Sequence, residues 1–144
     1  MICKKTIPFL LLLASSIAFF TLPGEAYKYE HFDDGPDVPN PQEKSIVLQL
    51  SETLELAFRS PFHMTAYNWY FDTQASVMKT LKQAGTRKDR HPKKHENDNF
   101  VFNFTAVKES AKGQGDLLIF ECYRPWEGKN LTMNTVVVHV NVTA

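Results

Sequence analysis

Tyr123-Arg124-Pro125-Trp126-Glu127-Gly128 joins two stretches of strand-like sequence. Residues 117–123 before it alternate apolar side chains, and residues 135–142 after it are rich in β-branched valine and threonine. Pro125 fixes φ and offers no backbone N–H, so the first strand ends there. Gly128 and Asn130 supply the turn chemistry that brings the chain back. The reading is strand, loop, strand. The loop then carries a Trp and an Arg on a stiff support. Both residue types are enriched at binding hot spots, and a stiff loop loses little entropy on binding. The alternative folds Trp126 back as a lid on the core, because Trp is mostly buried on average.

Outward from this stretch the period-two signal repeats. Phe100, Phe102 and Phe104 alternate with Val101 and Asn103, which is a strand. Gly113-Gln114-Gly115 reads as a hairpin turn that returns residues 117–123 antiparallel to it. It is not a phosphate loop, lacking the Lys-Ser/Thr ending and a following helix. Further upstream, Leu54, Leu56 and Phe58 alternate with Glu55 and Ala57 until Arg59-Ser60-Pro61 ends the run. Phe62 to Tyr67 forms a loop, and Trp69, Tyr70 and Phe71 restart an aromatic strand up to Asp72. Residues 46–50 are a short apolar strand. Residues 75–84 fit either one helical face capped by Gly85 or a turn followed by a strand. Six or seven short strands without a long helix predict an all-β sandwich.

The N-terminus predicts processing. Lys4 and Lys5 precede an apolar run that breaks at Pro23, and Gly24 and Ala26 are small residues at signal-peptidase spacing. Residues 1–26 are therefore expected to be a signal peptide, with an uncleaved anchor as the alternative, and the chain is expected to take a secretory route. Residues 27–44 are acidic and proline-rich and read as a flexible lead-in. Residues 45–144 then form one domain.

Composition removes several function classes. Lys and Arg together number 16, as do Asp and Glu, so no global field steers the chain to nucleic acid or a membrane surface. No stretch after the leader is long and apolar enough to span a bilayer. Cys3 leaves with the signal, so Cys122 stands alone, no internal disulfide forms, and packing alone holds the fold. Cys122 reads as a small buried side chain, since nothing near it in sequence lowers a thiol pKa. Residues 85–99 are polar and dense in Arg87, Lys88, Arg90, Lys93 and Lys94. They read as a solvated loop, with a glycan or acidic-protein contact as the alternative. His91 and His95 are four apart, but Pro92 opposes the helix that would align them for a metal. Neither a metal nor another cofactor is expected, and no catalytic set emerges. Asn103, Asn130 and Asn141 each begin an Asn-X-Thr sequon and are candidate glycosylation sites.

The order of these features resembles the chagasin family, inhibitors of papain-like cysteine peptidases. Its Arg-Pro-Trp loop is matched by Arg124-Pro125-Trp126. In that family an apolar strand leads to an Asn-Pro-Thr-Thr-Gly-aromatic loop and then a Trp. Here residues 51–56 lead to Ser60-Pro61, then Thr65-Ala66-Tyr67, then Trp69. The family's Gly-x-Gly-Gly loop falls where this chain has Lys94-His95-Glu96-Asn97-Asp98. Ser60 replaces an Asn, Ala66 replaces a Gly, and Phe62, His63 and Met64 lengthen the first loop. The resemblance spans residues 46–142. It implies a monomeric, disulfide-free, immunoglobulin-like sandwich that is no enzyme and occludes the peptidase cleft with three loops at one end. It implies peptidase contacts from Pro61, Thr65, Ala66 and Tyr67, from His95 and Asn97, and from Arg124, Pro125 and Trp126. The alternative is a secreted binding module for glycans or a surface protein, using residues 85–99.

Overall fold

Period-two alternation places Leu54, Leu56 and Phe58 on one face of the strand β3 (Thr53–Arg59) and buries all three completely. The same pattern buries Phe102 and Phe104 on a strand spanning Asn99–Ala106, Leu118 and Phe120 on one spanning Asp116–Tyr123, and four valines on one spanning Asn134–Thr143. In chain order the strands are β1 (Tyr27–Phe32), β2 (Gln42–Gln49), β3, β4 (Asn68–Phe71), β5 (Leu81–Asp89), β6 (Asn99–Ala106), β7 (Asp116–Tyr123) and β8 (Asn134–Thr143). Among the described residues one 3-10 turn, Lys129–Leu131, precedes β8. The structure is a computed structural model and describes residues 26–34, 37–60, 66–89 and 98–144. The expected signal peptide lies outside the described residues, apart from Ala26.

The strands form two four-stranded sheets in the orders β1-β3-β6-β5 and β2-β8-β7-β4. They pack as the expected β-sandwich. Pairing is antiparallel except where β1 runs parallel to β3 and β2 runs parallel to β8. The sheets meet at Phe58. Its ring stacks on Phe32 at 4.9 Å and meets Phe102 at 5.7 Å within its own sheet. Across the sandwich it meets Trp69 at 5.0 Å and Phe120 at 4.5 Å. These separations lie in the favourable range for aromatic pairs. Cys122 is fully buried and carries no disulfide. Burial, with a smaller contribution from the nearby Asp34 carboxylate, pushes its thiol pKa up to about 12.

Three sequence expectations are corrected. Residues 27–32, read as part of a flexible lead-in, form β1, and β2 begins at Gln42 rather than Ile46. β1 lacks apolar alternation because it is an edge strand. Backbone pairing to β3 holds it, with Lys28 Nζ donating to the Val47 carbonyl at 3.0 Å and Lys44 pairing with Glu30 at 3.6 Å. Gly113-Gln114-Gly115 does not join a hairpin, since β6 and β7 lie in opposite sheets. It is a tight turn within the crossover, with Gln114 N–H donating to the Ala111 carbonyl at 2.9 Å. Gly115 is required there, because a Cβ would lie 2.6 Å from the Val140 carbonyl oxygen. Finally, residues 81–89 are the strand β5, so the supposed loop at 85–99 is strand through Asp89. Residues 75–84 follow the second of their two readings, a turn and then a strand.

The turn before β5 is fixed by Asp116. Its carboxylate is buried and accepts backbone N–H bonds from Lys79, Thr80 and Leu81 at 2.9–3.1 Å. Charge-assisted bonds of this kind are the stronger class and offset the burial of the carboxylate.

Two outcomes are expected. Phe58→Ala should lower unfolding stability by about 3–5 kcal/mol in urea titration, the range for truncating a fully buried aromatic. A loss below about 1 kcal/mol would mean that this ring is not the joint between the sheets. Cys122 should resist an aromatic disulfide reagent at pH 8 in the native state and react once the chain is unfolded, as read by mass spectrometry of the peptide containing it.

Candidate binding site at one end of the sandwich

Strand register fixes which connections emerge together. β3 ends at Arg59 opposite Asn99, the first residue of β6, which also faces Asp89, the last of β5. Asn68, the first residue of β4, faces Tyr123, the last of β7. Asn134, the first of β8, faces Cys122. The β3–β4, β5–β6 and β7–β8 connections therefore leave the same end of the sandwich. So does the β1–β2 crossover, because Phe32 faces Phe58 and Gln42 faces Val136.

The β7–β8 loop is a turn built on Arg124. Its carbonyl accepts the N–H of Glu127 at 3.1 Å and of Gly128 at 3.2 Å. Pro125 sits at the second turn position, where its fixed φ is favoured. Gly128 holds φ +76°, a left-handed conformation that glycine adopts without a Cβ penalty. Met133 N–H donates to the Cys122 carbonyl at 2.8 Å and closes the loop at its base. Trp126 at the apex is 68% exposed, so the lid-on-core alternative is excluded.

Arg124 joins this loop to the β3–β4 connection. Its guanidinium lies 4.6 Å from the centre of the Tyr67 ring and 5.9 Å from that of Trp126. Both distances fall within cation–π range. Glu127 Oε1 accepts from Arg124 Nη1 at 3.1 Å and holds the guanidinium between the rings. Arg124 Nε is buried without a hydrogen-bond partner. Ala66 precedes Tyr67 with φ +57°, a conformation that L-residues rarely take. The base of this connection is tied down on both sides. Trp69 Nε1 donates to the Arg59 carbonyl at 2.9 Å, and Ser60 N–H donates to the Asp98 carbonyl at 2.8 Å.

The expected contacts Ala66, Tyr67, Arg124, Pro125 and Trp126 thus gather at one end. Pro61, Thr65, His95 and Asn97 lie outside the described residues, and the strands flanking them end on that same face. Sequence reasoning missed Asp72, Lys129 and Asn40. Lys129 of the 3-10 turn pairs with the Asp72 carboxylate at the end of β4 and lies 3.7 Å from Glu121. Asn40 in the β1–β2 crossover donates to the Met133 carbonyl at 2.9 Å and accepts from Thr135 N–H at 3.1 Å. No local pattern marks these residues, because each pairing is between distant parts of the chain.

The basic segment is less free than its composition implies. Arg87 forms a two-pronged pair with Glu55 at 2.9 and 3.0 Å and a further bond to Asp89 at 3.0 Å. The Arg87 guanidinium holds the Glu55 carboxyl below the usual carboxylate range. Lys88 pairs with Asp98 at 3.5 Å and lies 4.9 Å from the Phe100 ring centre. Two of the cations assigned to a glycan-binding loop are therefore neutralised on a strand. Among the described residues no cluster of His, Cys, Asp and Glu could hold a metal. Of the sequon asparagines, Asn130 and Asn141 are exposed, while the Asn103 side-chain oxygen is buried without a partner. Asn130 shares the 3-10 turn with Lys129 and lies at the Trp126 end.

Arg124→Ala should free the Trp126 ring. In a Trp69→Phe background the fluorescence anisotropy of Trp126 should fall while the unfolding midpoint moves little, since an exposed cation–π contact contributes only about 0.5–1 kcal/mol. Unchanged anisotropy would remove Arg124 as the link between the loops.

No protein-family model matches the chain, and no curated protein matches it. Solved structures do. The cysteine protease inhibitor EhICP2 from Entamoeba histolytica aligns with a TM-score of 0.58 and 10% sequence identity, over 83% of this chain and 100% of that one. PbICP-C, solved in complex with falcipain-2, aligns with a TM-score of 0.52 and 15% identity, over 79% of this chain and 99% of that one. The chain therefore has the fold of these two proteins along nearly their entire length.

Proposed function

We propose that this protein inhibits papain-like cysteine peptidases reversibly, by filling the active-site cleft with loops from one end of the sandwich. The observation that carries the reading is the exposed Trp126 coupled through Arg124 to Tyr67 at the end where the β3–β4, β5–β6 and β7–β8 connections emerge. Two proteins of the same fold are a cysteine protease inhibitor and a chain bound to falcipain-2.

Each part has a physical role in this proposal. Thr65, Ala66 and neighbouring residues enter the cleft over the catalytic Cys and His. Trp126 packs on apolar surface beside it, with Arg124 and Pro125 setting its position. Pro61 and Tyr67 support the entering loop, and His95 and Asn97 flank it from the other side. A rigid wedge loses little entropy on docking, so more of its contact energy appears as affinity. The wedge survives only if none of its carbonyls is offered productively to the thiolate. The chain acts as a plug and performs no chemistry itself. A secretory route, with glycans on the accessible sequons, completes the proposal.

The test is titration of papain at fixed enzyme concentration with the purified protein. Tight, reversible inhibition is expected, and Trp126→Ala should weaken it roughly 30-fold or more, the scale of a hot-spot truncation above about 2 kcal/mol. Inhibition indifferent to both Trp126→Ala and Thr65→Ala would sink the loop assignment. No inhibition of any papain-like enzyme would overturn the function.

A further inference from the structure

We propose that Asp72 is a positioning residue for inhibition, holding the Trp126 loop in its binding conformation through Lys129. This rests on the inhibitor reading above. The Trp126 turn is short, and its outgoing limb passes directly into the 3-10 turn containing Lys129. That turn buries no residue, so apolar packing does not seat it. Its Lys129 side chain instead reaches the Asp72 carboxylate across a sequence separation of 57 residues, with Glu121 at 3.7 Å as a second anion.

Asp72 is itself immobilised. Its Oδ1 accepts the N–H groups of Gln74 and Ala75, each at 3.0 Å, and its N–H donates to the Ile119 carbonyl at 2.9 Å. The Asp72 side chain is 9% exposed and that of Lys129 51%. The ammonium is thus the movable partner, drawn to a fixed carboxylate. The Lys129 ammonium, followed by these backbone bonds, holds the Asp72 carboxyl below its ordinary range, so it stays charged in mild acid. Thr132 Oγ1 caps the Lys129 carbonyl and shapes the same turn.

The latch acts on Trp126 through geometry. Arg124 fixes the incoming limb of the loop against Tyr67, and Lys129 fixes the outgoing limb against Asp72. Removing the second anchor leaves the indole on a turn held from one side. The docked complex must then order what the free protein no longer holds, and that loss appears mainly in the dissociation rate.

Asp72→Asn tests this, because Asn keeps a side-chain oxygen for the Gln74 and Ala75 N–H groups while an amide NH2, which cannot accept from the ammonium, replaces the charged oxygen facing Lys129. Lys129→Met removes the latch from its exposed side and separates it from any folding defect. Backbone 15N relaxation of the free protein should show residues 126–130 falling from order parameters near ~0.85 towards ~0.6 in both variants. Dissociation from papain should quicken about tenfold, with association changed less than about threefold. Unaltered loop order in Asp72→Asn and Lys129→Met would overturn the latch, as would altered order with unaltered dissociation. If the parent protein fails to inhibit papain and every other papain-like enzyme tried, the inhibitor reading fails, and the positioning role falls with it. The relaxation data still report whether the ion pair orders the loop.

Discussion

The two sheets adhere through aromatic rings, and the loop end of the sandwich depends on that adhesion. Phe58 of β3 touches Phe32 and Phe102 in its own sheet and Trp69 and Phe120 in the other. No disulfide joins the sheets among the described residues. Dispersion and the removal of apolar surface from water must hold them, and closely packed rings supply both. Phe58 lies one residue before Arg59, whose carbonyl receives the Trp69 indole N–H. The ring cluster therefore continues into the anchor of the β3–β4 connection. Rigidity generated in the core reaches the loop end through two adjacent residues.

That continuity ties an exposed Trp back to the core. Trp126 is not packed into the core, yet its loop is bound at both limbs and at its base. Asn40 adds a brace from the β1–β2 crossover to the start of β8. The N-terminal segment is thereby part of the site's support and no mere tether. Among the described residues, Glu55 pairs with Arg87 and Glu30 with Lys44, so these charges act within the sheets and add little long-range field.

The central strands and the Trp126 loop were legible in the sequence for one reason. Strands buried on one face must alternate, and Leu54-Leu56-Phe58 and Phe100-Phe102-Phe104 do. Edge strands need not. β1 and β5 each pair on one side only, and from Gly85 to Asp89 β5 has no apolar side chain. Backbone pairing to β6 makes it a strand despite its composition, so it read as a loop. Sheet partnership was equally hidden. Nothing in Gly113-Gln114-Gly115 distinguishes a hairpin from a crossover, and only the facing of β6 and β7 into one core from opposite sides decides it. The latch and the brace span 57 and 93 residues of chain, a separation at which local pattern carries no information.

Ala66 connects the sequence departure to the physics of the loop. The family resemblance places a glycine there, and the structure holds the alanine at φ +57°. An alanine in that region costs about 1–2 kcal/mol relative to a right-handed conformation. It persists because its surroundings over-determine it. Ser60 Oγ donates to the Tyr67 carbonyl at 3.4 Å, and Tyr67 is held under the Arg124 guanidinium. Glycine would adopt this φ without strain but would also visit many others. Alanine at positive φ is biased to leave that conformation, so the contacts of Ser60 and Tyr67 must oppose a strain that glycine would not carry. The departure from glycine therefore sets backbone strain against the contacts at the ends of this connection, whereas Pro125 and Gly128 place the neighbouring loop in conformations those residues favour.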